Sequence, residues 1–176
     1  MSPVSEFATG SAFREVLDDR ANPEQVTRVL VCSGKVYYDL AKAREELGTQ
    51  AVAIVRLEQL YPWPEAQLAA VLGRYRRARE WVWVQEESLN MGGWAFMEPR
   101  LRALGRPPKY VGRDASASPA TGSLTVHKRE QKEIVEAAVA GHAPCLVRAA
   151  GPVRPRVAEG NGAGTEHERA PASAGS

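Results

Sequence analysis

Trp81-Val82-Trp83-Val84-Gln85-Glu86-Glu87-Ser88-Leu89-Asn90-Met91-Gly92-Gly93 is the stretch from which the fold is read. Its first residues are aromatic and β-branched, a run too short for a globular helix core but suited to a buried strand. The chain then turns polar at once, which puts an amide and two adjacent carboxylates at the strand's exit. A parallel strand opens at that end onto the crevice where open α/β sheets hold ligands or partner surfaces. Trp81 and Trp83 share a parity, so packing on one sheet face explains them better than a platform for stacked bases.

Working outward, Arg28–Cys32 reads as a strand ended by Ser33 and Gly34, and a helix follows from about Val36 to Leu47. Tyr37, Leu40, Ala41, Arg44 and Leu47 recur there at helical spacing, and Gly48 supplies a stop. A second strand is expected over Ala51–Leu57. Pro64 can open the next helix, where its missing N–H costs nothing, and Glu65 suits the positive terminus. Leu68, Val71, Leu72 and Tyr75 form its apolar stripe. Arg74, Arg76, Arg77 and Arg79 cluster near its end and read as a solvated face at a helix C-terminus rather than a nucleic-acid patch. After Gly93 a helix carries Trp94, Phe96, Met97, Leu101 and Leu104, and Pro99 predicts that it is kinked or starts only there. Lys109–Gly112 is a short strand, and Thr121 or Ser123 could cap a last helix. Cys145–Val147 would be a weak fifth strand.

Strand and helix patterns thus alternate with short connections, which predicts an α/β fold: a three-layer α/β/α domain on a mostly parallel sheet of four to five strands. Residues 28–150 form that domain. Residues 1–27 are expected to be a leading segment lying across a surface without regular structure. Residues 151–176 lack aromatics, are rich in Gly, Pro, Ala and Ser, and are expected to be a disordered tail.

The chain has 176 residues, room for one ordinary core. With 23 Lys and Arg against 21 Asp and Glu, its formal charge of +2 gives no global reason to bind nucleic acid or anionic membrane. No run is long and apolar enough to span a bilayer, and the first ten residues lack a signal-peptide centre, so a cytoplasmic location is expected. Cys32 sits in an apolar run and reads as a small buried hydrophobe, and with Cys145 it makes neither a disulfide framework nor a metal motif.

Candidate polar residues follow from position. Glu86 and Glu87 are consecutive, so in extended chain they point to opposite sides and could act together only if the strand ends between them. Glu58 and Glu86 are a more plausible pair, one at the exit of each of two buried strands expected to be neighbours. Hydrogen bonding or ion pairing, within the fold or at a subunit interface, is the favoured role for both, ahead of acid-base catalysis. Ser33, Gly34 and Lys35 lie where backbone N–H groups can cradle an anion, but no P-loop or dinucleotide fingerprint is present. His127 has no metal-ligand spacing with another His or Cys, and on the core side of its helix it would need a hydrogen-bond partner.

Five clusters carry a family resemblance: FATGSAF (Phe7–Phe13), CSGKVYYDL (Cys32–Leu40), VAIVRLEQL (Val52–Leu60), VQEESLNMGGW (Val84–Trp94) and YVGRDASASPATG (Tyr110–Gly122), with His127, Glu130 and Gln131 after them. Together, over about Glu6 to Ala140, the chain resembles the C-terminal region of the 2-oxoglutarate dehydrogenase E1 component, itself similar to the transketolase C-terminal domain. The family often has Pro near Ser88 and Ala near Gly93. The resemblance implies part of a thiamine-diphosphate enzyme of the tricarboxylic acid cycle that decarboxylates 2-oxoglutarate and passes the succinyl group to the lipoyl arm of an E2 component. It also implies that the cofactor and Mg²⁺ are held by other domains. This chain alone would then bind no cofactor, contain no catalytic residue or metal site and be catalytically incomplete, serving the E1 homodimer as a structural part. Expected partners are the remaining E1 domains, the second E1 subunit and E2, with no nucleic acid or membrane. Lys35, Arg56 and Arg113 are candidate contacts for acetyl-CoA or another anion, since relatives use this domain in such regulation. Glu58, Glu86, Glu87, Asn90 and His127 are the candidate interface or structural polar network.

Overall fold

The computed structural model describes residues 10, 12–119 and 121–141. A five-stranded sheet runs through the middle, built from β1 (Val16–Leu17), β2 (Arg28–Cys32), β3 (Val52–Leu57), β4 (Glu80–Ser88) and β5 (Lys109–Arg113). Its spatial order is β1-β3-β2-β4-β5, parallel throughout except for β1, which runs antiparallel to β3. Four helices connect and cover it: α1 (Val36–Leu47), α2 (Glu65–Gly73), α3 (Trp94–Ala103) and α4 (Leu124–Ala140).

The pleat sorts the core into two layers, because alternate residues of each strand face opposite ways. Leu30, Cys32, Ile54, Val82 and Val84 pack under Val36 and Leu40 of α1 and Ile134, Val135 and Ala138 of α4. Val29, Val31, Val55, Trp81 and Trp83 pack under Leu68 and Leu72 of α2 and Met97 and Leu101 of α3. The expected α/β/α layering and the shared face of the two tryptophans are what the structure shows. The helices run back against the strands, so the N-termini of α1 to α4 gather at the carboxyl edge of the sheet, beside the exit of β4.

Four expectations are corrected. The leading segment contributes an edge strand: Val16 pairs with Leu57, Leu17 with Arg56, and the Glu15 carbonyl accepts from the N–H of Glu58 at 2.8 Å. The free edge of β3 recruits it, together with Asp19, whose Oδ2 accepts from the Ile54 N–H at 2.6 Å and from Arg44. Of the two alternatives for α3, a start at Pro99 is the one that fails: the helix begins at Trp94, whose N–H is held at 2.9 Å by Gln85 Oε1, and Pro99 lies inside it. β2 lies between β3 and β4, so the exits of β3 and β4 are not neighbours and Glu58 and Glu86 do not pair. Finally, α2 ends at Gly73, leaving the arginine run in the turn beyond it rather than in its last helical turn. Cys145–Val147 and the 151–176 tail lie outside the described residues.

Cys32 is fully buried, and burial pushes its thiol from 9.0 up to about 12. Burial likewise raises the Tyr75 and Tyr110 hydroxyls above their ordinary value. In all three groups the folded state holds its proton to higher pH than the unfolded chain does. Stability is therefore fully present below about pH 9 and declines as pH rises toward 12, where the unfolded chain releases protons that the folded chain keeps. Urea unfolding midpoints measured across that window should fall steadily, and Cys32→Ala should flatten the first part of the fall. A midpoint constant from pH 8.5 to 11 would contradict this burial-linked titration.

Candidate functional site

The polar cluster at the carboxyl edge is built by a residue that the sequence pattern does not advertise. β4 does not stop at Val84 but continues to Ser88, with an irregularity against β5: Val84 pairs with Val111 and Ser88 with Arg113. The extra residues of β4 bulge around the Gln85 side chain, which points down among the apolar layer and is buried. Gln85 Oε1 accepts from Trp83 Nε1 at 2.8 Å and from the Trp94 N–H at 2.9 Å. Its Nε2 faces the carbonyls of Glu87, Ser88 and Met91 at 3.2, 3.0 and 2.8 Å. One amide thereby ties the tryptophan core, the first turn of α3 and the loop 87–91 into one unit. Gly112 makes room for the bulge, since a Cβ there would come 2.9 Å from the Gln85 carbonyl oxygen and run into the Tyr110 hydroxyl.

On this scaffold Glu86 and Glu87 meet different neighbours, Lys35 and Gly92. Glu86, with its side chain mostly covered, accepts from Lys35 Nζ at the start of α1. Glu87 is exposed and packs beside Gly92. Asn90 forms a reciprocal clamp with the loop after β5, its Nδ2 donating to the Ser116 carbonyl at 2.9 Å and its Oδ1 accepting from the Ser116 N–H at 3.0 Å.

Arg113 closes the cluster from β5. Its Nε donates to Glu130 Oε2 at 2.8 Å, its Nη1 donates to the Glu86 carbonyl, and its Nη2 lies 2.9 Å from His127 Nδ1. A guanidinium can only donate, so His127 Nδ1 is the unprotonated nitrogen, and the partner that the sequence required for this imidazole is Arg113. His127 and Glu130 are one helical turn apart on α4, which is why one arginine reaches both. Arg113 is half-buried and braces three elements. Arg113→Met is expected to lower stability by roughly 1–2 kcal/mol, the range for losing charge-assisted bonds at a partly exposed site, and chemical denaturation would measure it. An unchanged midpoint would remove Arg113 from the bracing role.

Arg56 and Glu58 stand apart, on the β3 side. Arg56 Nε lies 2.7 Å from Glu58 Oε1, and its guanidinium sits 4.5 Å from the centre of the Tyr37 ring. The candidate polar residues therefore divide. Lys35, Glu86, Arg113 and His127 form one connected network, Asn90 clamps its flank, and Arg56 with Glu58 forms a separate pair. A cleft of about 310 Å³ opens beside the network between β5 and α4, lined by Ser88, Arg113, Ser116, Thr121, Arg129 and Glu130. Its walls mix both signs of charge. Gln85, the residue that sequence analysis missed, gave one faint signal: a lone amide placed at the parity of Trp83 on the buried face.

The model for the family described as 2-oxoglutarate dehydrogenase C-terminal matches residues 1–139. The chain belongs to this family. A mitochondrial 2-oxoglutarate dehydrogenase of Caenorhabditis elegans is 45% identical over 143 residues, which is 76% of this chain and 14% of the relative. A 2-oxoglutarate dehydrogenase E1 component of Cupriavidus necator is 44% identical over 145 residues, 80% of this chain and 15% of the relative. The chain thus spans about one-seventh of the length of the family members it matches. Among solved structures, an inactive β4 tetramer of a split-gene transketolase aligns with a TM-score of 0.53 and 18% identity, over 81% of this chain and 46% of that one. This likeness shows the transketolase C-terminal-like fold.

One expectation falls with these comparisons. A cytoplasmic location does not stand, because family members from C. elegans and C. briggsae, at 45% and 43% identity, are mitochondrial by name. The family also implies thiamine diphosphate and Mg²⁺. Among the described residues no three His, Cys, Asp or Glu side chains converge to ligate an ion, and Lys35, Arg56 and Arg113 each lie within ion-pair distance of a carboxylate. No helix among the described residues is long and apolar enough to cross a membrane.

Proposed function

We propose that this chain is the structural, dimer-organising C-terminal part of the E1 component of 2-oxoglutarate dehydrogenase. In the complete enzyme, thiamine diphosphate and Mg²⁺ on other domains serve the decarboxylation of 2-oxoglutarate, and the succinyl group passes to the lipoyl group of E2. The observation that carries this reading is the family match over residues 1–139. The ion pairs of Lys35 with Glu86 and of Arg113 with Glu130 at the carboxyl edge support a structural reading of these groups. Positioning and electrostatic preorganisation must then come from polypeptide outside this chain.

Co-expression with the polypeptide carrying the rest of E1, followed by sedimentation, tests the role. The two should travel as one assembly containing two copies of each. Separate sedimentation would overturn the reading. The alternative, a regulatory module for acetyl-CoA, requires Lys35, Arg56 and Arg113 to exchange their carboxylate partners for phosphates.

A further inference from the structure

The arginine run lies at the opposite edge of the sheet from the network just described. α2 ends at Gly73, with Arg74 at its C-cap position and no basic residue in its last turn. Helix-terminus stabilisation fades within one turn, so it does not account for Arg76, Arg77 and Arg79. The turn that carries them is stiff. Tyr75 is buried and its hydroxyl lies 2.5 Å from Asp18 Oδ1, the Ala78 N–H bonds the Tyr75 carbonyl at 3.1 Å, and the Arg79 N–H bonds the Thr27 carbonyl at 2.8 Å. Two of the four guanidiniums are engaged, Arg74 by Asp18 and Arg77 by Glu24. The exposed side chains of Arg76 and Arg79 make no hydrogen bond or ion pair with any described residue.

We propose that this rigid basic turn docks a short acidic segment of a partner protein, with Arg76 and Arg79 as its two open forks. Guanidinium forks match carboxylates bidentately, and a turn already fixed by its backbone loses little entropy on binding. Asp18 and Glu24 interrupt the positive surface. That suits discrete carboxylates on a protein better than the continuous charge of a nucleic-acid backbone. The turn also lacks an exposed ring for base stacking, because Tyr75 is buried and Trp81 lies beneath Arg106, whose guanidinium is 4.7 Å from the ring centre.

The test uses the whole chain and a fluorescein-labelled glutamate peptide of about ten residues, with a single-stranded RNA of similar charge as the competing probe, read by anisotropy at low and high salt. The peptide should bind more tightly than the RNA, and salt should weaken it. The double variant Arg76→Gln/Arg79→Gln should lose about tenfold in affinity, while Lys42→Gln/Lys128→Gln, which removes the same charge elsewhere, should lose less than about twofold. Both variants should melt with the parent. No binding at low salt, equal losses in the two variants, preference for RNA, or unfolding of the arginine variant would each overturn the proposal.

Discussion

Gln85→Leu should be the most damaging conservative-volume substitution in the domain, lowering its unfolding free energy by roughly 3–5 kcal/mol. Leucine fills the space but offers no polar atom. The indole N–H of Trp83 and the backbone N–H of Trp94 lose their acceptor, and the carbonyls of Glu87, Ser88 and Met91 lose their donor. Each buried group left without a partner costs its desolvation, and together these take a large share of a typical domain's stability of about 5–15 kcal/mol. Urea unfolding followed by tryptophan fluorescence measures the loss. Amide exchange should show it concentrated in 86–94, since that segment depends on the one side chain. A loss under about 1 kcal/mol would mean that the bulge is held by something other than Gln85.

Gly93→Ala should come next, at about 2–3 kcal/mol, and for the opposite reason. A Cβ at that position would stand 2.7 Å from Trp83 Cζ2, and Trp83 is one of the largest fully buried side chains, with no room to retreat. The relief should be specific. In a Trp83→Phe background the ring atoms that collide are gone, so adding Gly93→Ala should cost at least about 1 kcal/mol less than it does beside tryptophan. Additive costs in the double-mutant cycle would break the link between this glycine and that ring.

These residues show what a sequence can and cannot disclose. α1, β2, β3 and the tryptophan face were legible because apolar spacing reports burial directly, and each has enough residues to show a period. β1 was not, since two residues cannot display an alternation and the strand exists because β3 has a free edge to fill. The supposed partnership of Glu58 and Glu86 failed on strand order. Pattern tells which residues leave buried strands, not that β2 is interposed between β3 and β4. Glu86 and His127 were grouped as a candidate polar network and Arg113 was set apart from them as an anion contact, yet their union depends on Arg113 standing across from the start of α4, a fact of three dimensions. Gln85 was hidden because a glutamine after an apolar run looks like the end of a strand. It is instead the place where the strand bends, and its amide is saturated by groups up to nine residues away along the chain.

The charged residues divide along the sheet in a way that bears on assembly. At the carboxyl edge Lys35 pairs with Glu86 and Arg113 with Glu130, while Glu87 and Tyr61 are exposed. At the amino edge, Arg76 and Arg79 make no side-chain hydrogen bond or ion pair with any described residue. If the chain organises a larger subunit, the first edge is the platform and the second is a handle, and substitutions in the two should separate stability from association.

The most direct test supplies the purified chain with thiamine diphosphate, Mg²⁺, 2-oxoglutarate and an artificial electron acceptor, alone and again after mixing with the polypeptide that carries the rest of E1. The account predicts no turnover from the chain alone and turnover from the mixture. Sustained decarboxylation by the chain alone would contradict it.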